Sequence, residues 1–181
     1  RQPGSTFKSF ALAEAVREGY SVEALIESPT REVYPDANGG VDWTVTGGCC
    51  GGVATLLEAT ARSSNTSFAR LMLELGPENV IDMAHDLGIS AELEPFPSLV
   101  LGTGEVSVLD MAAAYSTFAN EGTRIDPRVI TRIERADGTV LEQFEATRTE
   151  VLTVDQAAKV THALQGVIEG GTGEQAMLPG R

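Results

Sequence analysis

The sequence predicts an α+β fold in which helices dominate, and three observations carry that prediction. Apolar residues recur at helical spacing through most of the chain, in segments closed by glycine or proline. One stretch, near 128–144, switches to strand-type residues around an Asp137-Gly138 turn. The strands predicted are too few for a self-sufficient sheet, so the pattern fits the helical part of a domain whose central sheet lies largely outside the chain.

The elements follow in order. Ser5 to about Glu18 reads as a helix, with Phe7, Phe10, Leu12 and Val16 as its apolar stripe and Gly19 as its stop. Val22 to Ile26 reads as a short helical piece. The stretch from Pro29 to Gly52 reads as a long loop holding Trp43, the only tryptophan, and such a loop inside a domain is usually functional or mobile. Helix resumes near Thr55, halts at Ser63-Ser64-Asn65 and restarts at Phe68, to be stopped by Gly76-Pro77. Glu78 to Leu87 is amphipathic and closed by Gly88; Pro95 and Pro97 mark another loop; Val106 to Asn120 is an alanine-rich helix suited to close packing. The hairpin joins Val129–Ile133 to Thr139–Phe144, and Val154 to Ile168 forms the last helix before Gly170-Gly171.

The 181 residues suffice for one domain with a core. A net charge of −13 leaves no basic stripe for phosphates, so no nucleic acid is expected as a partner. No unbroken apolar stretch is long enough to span a bilayer. No leader precedes Arg1, and the chain reads as cut from something larger. Cys49 and Cys50 are adjacent and flanked by Gly47-Gly48 and Gly51-Gly52. Neighbouring Cα atoms lie about 3.8 Å apart, so a bridge between them is strained, although the glycines ease such a ring. The pair is read as structural or incidental rather than as a redox device. His85 and His162 are isolated surface residues, and no metal or cofactor is expected.

The chemistry-bearing string is R-Q-P-G-S-T-F-K-S-F at the start of the chain. It sets Ser5 and Lys8 three apart at the head of a helix, after a Pro3-Gly4 turn. A lysine one turn on can take the serine's proton, and the free N–H groups of a first helical turn favour an oxyanion. A bare S-x-x-K is common by chance, and a serine cap with a solvated lysine is its ordinary reading. Ser63-Ser64-Asn65 likewise suits a helix-capping cluster.

Together these strings resemble the transpeptidase domain of penicillin-binding proteins, within the serine acyltransferases that include class A β-lactamases. That group carries S-x-x-K, S-x-N and K-[TS]-G. Ser5-Thr6-Phe7-Lys8 matches the first and Ser63-Ser64-Asn65 the second, in a break between helices. The block from Leu101 to Gly122 and the segment from Leu164 to Gly173 are also similar to this domain, and the hairpin from Pro127 to Leu141 fits its bifunctional, class A branch. The third motif does not occur in the chain. Residues 1–181 are therefore expected to be a partial transpeptidase domain, beginning just before the S-x-x-K helix and ending just before the K-[TS]-G strand.

The resemblance implies a peptidoglycan D,D-transpeptidase with Ser5 as nucleophile, Lys8 as its base, Ser63 as proton relay and Asn65 as the residue that binds the substrate amide and orients Lys8. It implies a stem peptide ending in D-Ala-D-Ala as substrate and β-lactam antibiotics as ligands. It also implies a place on the outer face of the bacterial cell membrane, attached only through upstream segments. Without the third motif, one oxyanion donor and the substrate-carboxylate cation are missing, so the 181 residues alone are expected to be inactive and poorly soluble. A serine β-lactamase is the enzyme alternative, but Glu92 and Glu94 do not resemble its water-activating segment. A non-catalytic β-lactam sensor or scaffold is the other alternative, against which the intact Ser5, Lys8, Ser63 and Asn65 argue.

Overall fold

The helix that begins at Lys8 runs through the centre of the molecule. A computed structural model describes residues 1–178; Pro179–Arg181, where the third motif was expected to be approached, lie outside the described residues. A 3-10 turn, Gly4–Phe7, leads into α1 (Lys8–Arg17). Every residue from Phe7 to Val16 is buried. A helix that is apolar on nearly all faces needs neighbours on all of them. α3 (Asn65–Leu75), α4 (Pro77–Leu87) and α6 (Val154–Glu169) surround it. Ala11, Ala13 and Ala15 are fully buried and keep those neighbours close.

α2 (Leu56–Ala61) opens with a capping box between Thr55 and Glu58, and α6 with one between Thr153 and Gln156. Ser64 caps α3, and Ser107 caps α5 (Val108–Ala119). Pro77 stands in the first turn of α4 and left-handed Gly88 ends it, as the sequence predicts. Among the described residues, strands occur only in pairs: β1 (Leu25–Ser28) with β4 (Gly52–Thr55), β2 (Arg31–Tyr34) with β3 (Trp43–Thr46), β5 (Thr123–Ile125) with β8 (Arg148–Glu150), and β6 (Arg132–Glu134) with β7 (Val140–Gln143), all antiparallel. The hairpin expected near 128–144 is present, with Asp137-Gly138 at its turn, and the fold is the helix-rich α+β arrangement expected.

Two local expectations are corrected. Val22–Ile26 is not helical; β1 starts at Leu25 and alternates exposed and buried side chains, Ile26 and Ser28 facing the core. The stretch from Pro29 to Gly52 is not an open loop. It is a nested ribbon in which β2–β3 continues from β1–β4, with Tyr34 opposite Trp43 and their rings 5.6 Å apart. Strands of four residues are too short for a period-two signal to stand out from helical spacing. β5 and β8 were missed for the same reason.

Between the two halves of that ribbon, Pro29-Thr30 on one side faces Gly47–Gly51 on the other. Gly48 lies so close to the first side that a Cβ on it would be 2.1 Å from the Pro29 carbonyl oxygen. A similar approach occurs at Gly102, after a 3-10 turn at Pro97–Leu101: its φ is +78°, and a Cβ there would be 2.2 Å from the Gly4 nitrogen. Gly102 thereby backs the turn that carries Ser5. Gly102→Ala is expected to destabilise the protein by roughly 2–4 kcal/mol through backbone strain and overpacking, read as a lower urea midpoint at unchanged slope.

Candidate active site

Ser5 lies in the 3-10 turn and Lys8 opens α1 one turn further in. Pro3 and left-handed Gly4 (φ +61°) turn the chain into this segment. Three hydroxyls then pin it: Thr6 Oγ1 donates to the Pro3 carbonyl at 2.8 Å, Ser9 Oγ to the Thr6 carbonyl at 2.9 Å, and the Tyr115 hydroxyl of α5 to that same carbonyl at 2.8 Å. Ser5 remains exposed, whereas Lys8 is 4 % exposed.

The α2–α3 turn supplies the other half. Ser63 has φ +54°, a left-handed conformation rare for a serine. Ser64 turns inward and is buried; its Oγ meets Ser28 Oγ at 2.8 Å and Ser67 Oγ at 2.9 Å, and it accepts from the Ser67 N–H. Asn65 is tied to the end of β3, its backbone N–H donating to the Gly47 carbonyl at 2.8 Å and its Nδ2 to the Thr46 carbonyl at 3.0 Å. The triplet therefore serves both readings at once. Ser64 is the helix cap, and its neighbours on either side face Lys8.

The other three sequence-predicted residues, Ser5, Ser63 and Asn65, converge on the Lys8 nitrogen. Lys8 Nζ lies 2.7 Å from the Ser63 carbonyl oxygen, 2.7 Å from Asn65 Oδ1, 3.0 Å from Ser63 Oγ and 3.2 Å from Ser5 Oγ. The Phe68 ring closes one side, its centroid 5.7 Å from the nitrogen. Burial lowers the Lys8 pKa from 10.5 to about 8. About a tenth of the lysine is then neutral at pH 7, against ~0.03 % for an ordinary one.

The two kinds of acceptor decide what a neutral Lys8 does. A neutral amine has two N–H bonds and one lone pair. The Ser63 carbonyl and Asn65 Oδ1 can only accept, and they make the two shortest contacts. With both N–H bonds so engaged, the lone pair is left for the hydroxyls of Ser5 and Ser63. The site thus has a serine hydroxyl, a base beside it and a second hydroxyl in contact with the same base.

A cavity of about 420 Å³ opens over this group. Ser5, Lys8 and Ser63 form its polar end, and Phe68, Tyr115, Leu164, Val167 and Ile168 its apolar wall. Sequence reasoning missed the supporting residues: Ser28 under Ser64, Tyr115 on the turn that carries Ser5, and Gly47, whose added Cβ would press within 3.0 Å of Asn65 Nδ2. The Gly47-Gly48 doublet was the one visible signal.

A family model described as penicillin binding protein transpeptidase domain matches residues 1–180. The chain is 34 % identical over 166 residues to penicillin-binding protein 2D of Bacillus subtilis, covering 91 % of this chain and 24 % of that protein. It is 33 % identical over 180 residues to penicillin-binding protein 1A of Aquifex aeolicus, covering 98 % of this chain and again 24 % of the relative. Among solved structures, the PonA1 protein of Mycobacterium tuberculosis in complex with penicillin V superposes with a TM-score of 0.80 at 31 % identity, over 93 % of this chain and 47 % of that one. The chain belongs to the penicillin-binding protein transpeptidase family, and it spans about a quarter of the length of the two relatives.

Ser64→Ala removes the α3 cap and leaves Ser28 Oγ without that partner. It is expected to cost about 1–2 kcal/mol of stability in urea denaturation, while Ser64→Thr retains part of it.

Proposed function

We propose that the natural polypeptide carrying this sequence is a peptidoglycan D,D-transpeptidase acting through a serine acyl-enzyme. The observation that supports this best is the contact of one buried, partly neutral lysine nitrogen with Ser5 Oγ, Ser63 Oγ and Asn65 Oδ1.

Lys8 takes the proton from Ser5 Oγ as the oxygen attacks the carbonyl carbon of the penultimate D-alanine in a stem peptide. The tetrahedral oxyanion is held by backbone N–H groups, that of Ser5 among them, where the 3-10 turn leaves its first donors free. Ser63 Oγ, in contact with Lys8, passes a proton to the departing D-alanine nitrogen. An amine from a second stem peptide then attacks the ester carbon, and Ser5 recovers its proton. Asn65, fixed by the Thr46 and Gly47 carbonyls, holds Lys8 in line and meets the substrate amide. A β-lactam enters the same sequence through its strained amide. Its nitrogen stays tethered to the acyl group, which blocks the acceptor amine. This chemistry belongs on the outer face of the cell membrane, where stem peptides are joined.

The test is intact-mass measurement after penicillin V treatment of the natural polypeptide. A single persistent adduct that is absent from Ser5→Ala is expected; a folded protein with no adduct overturns the reading, and one that clears the adduct rapidly is a β-lactamase. The active form of Lys8 is the unprotonated one, so the acylation rate is expected to rise about tenfold per pH unit up to about 8 and then level off. Lys8→Arg, which cannot lose its proton in this range, is expected to lower the rate by at least ~10³-fold in a stopped-flow or mass-resolved time course.

A further inference from the structure

We propose that Cys49 and Cys50 form a reversible vicinal disulfide that shifts the loop anchoring the second half of the site. The sequence reads the pair as structural or incidental rather than as a redox device; its placement points elsewhere. The two cysteines occupy the Gly47–Gly51 side of the ribbon break, Cys49 half-buried and Cys50 exposed. In an extended strand, consecutive side chains point to opposite faces. Here Cys50 has φ +60°, followed by Gly51 at +74° and Gly52 at +100°, and this left-handed turn brings the sulfurs onto one side, 2.6 Å apart. A cysteine rarely adopts that conformation, so the juxtaposition is imposed by the loop.

The pair is wired to the site through hydrogen bonds. The Cys49 N–H donates to Ser28 Oγ at 2.8 Å, and that oxygen lies 2.8 Å from Ser64 Oγ. Ser64 follows Ser63, whose carbonyl accepts from Lys8 Nζ. From the other end of the same loop, the Gly47 carbonyl accepts from the Asn65 N–H. Closing the ring moves the Cys49 sulfur, to which Ser28 Oγ donates at 3.5 Å, and so disturbs the Ser28–Ser64 pair beneath the site.

The step balances as thiol–disulfide exchange with an external disulfide R–S–S–R. The Cys49 thiolate attacks one sulfur and expels R–S⁻, giving a Cys49–S–S–R mixed disulfide. Cys50 sulfur then attacks Cys49 sulfur and its proton goes to the second R–S⁻; the first R–S⁻ takes up the proton that Cys49 released on ionising, so the products are the Cys49–Cys50 bridge and two thiols. Partial desolvation and the hydrogen bond to Cys49 raise the Cys50 thiol to about 11, which fits Cys50 to the second, resolving step. Strain in a vicinal ring makes it easily reduced, which suits a reversible device better than a permanent staple.

The probe is glutathione disulfide, applied to the natural polypeptide before intact-mass and peptide mapping. The expected product is the peptide of residues 49–50 lighter by two hydrogens, resistant to iodoacetamide and restored by dithiothreitol. Cys50→Ser should instead retain one glutathione on Cys49. Two thiols still open to alkylation, or a stable glutathione adduct on the unaltered protein, overturn the bridge. Penicillin V acylation is expected to slow about tenfold in the bridged form, the scale of losing an orienting hydrogen bond, and the Cys49→Ser/Cys50→Ser variant should show no redox response. A bridge with unchanged acylation overturns the coupling. An absent penicillin adduct in both redox states tells against the transpeptidase reading and leaves the bridge itself standing on its mass.

Discussion

Holding a lysine nitrogen inside a helical bundle is the constraint on which the rest of the site depends. Phe7 and Phe10, fully buried, take up positions beside Lys8 in the same helical run, and Phe68 closes over its nitrogen. An ammonium there loses most of its hydration, and the loss shows as a pKa brought down to about 8. The nitrogen is tolerated because other segments bring it acceptors: the Ser63 carbonyl, the Ser63 hydroxyl and the Asn65 side chain. Satisfying a buried donor and making a competent base are here the same act.

That demand explains the odd backbone around the site. The α2–α3 turn must present a carbonyl, a hydroxyl and an amide to one point, and Ser63 adopts a left-handed conformation to do so. Such a conformation persists only when its surroundings over-determine it. Ser64 supplies that: buried, capping α3, and bonded to Ser28 on β1 and Ser67 within α3. Asn65 is held from the opposite side by the last carbonyls of the β2–β3 ribbon. The ribbon is therefore part of the machinery although none of its side chains carries chemistry.

Close backbone approach takes the place of side-chain packing at two points near the site. Gly102 sits against Gly4, and Gly48 against Pro29. The first brings a segment remote in sequence against the turn carrying Ser5, and the second closes the ribbon beside Ser28, whose hydroxyl meets Ser64. Hydrophobic burial can place helices to within an ångström or so, but aiming a hydroxyl at a nitrogen needs a tighter reference, and main chain against main chain supplies one. Far from this region, residues 127–145 form a ribbon exposed along its whole length, and the site does not call on it.

By itself the sequence determined where most helices run and stop and the Asp137-Gly138 hairpin, and it singled out the residues that meet at the Lys8 nitrogen, while reading a helix into 22–26 where β1 begins. Helices and tight turns are written in local spacing: Gly76-Pro77, Gly88 and Asp137-Gly138 each announce a boundary within a few residues. Ser5 and Lys8 were legible because one helical turn joins them, and Ser63 and Asn65 through their place in a recognisable motif. Only the tertiary structure decided that Pro29–Gly52 is a paired ribbon, since four-residue strands gain their meaning from partners that lie 20 or more residues away. It alone decided that Ser28 supports Ser64, that Gly47 frames Asn65, and that burial without a neighbouring cation lowers Lys8. Those facts depend on which atoms lose water and which meet across the fold, and no local pattern encodes either.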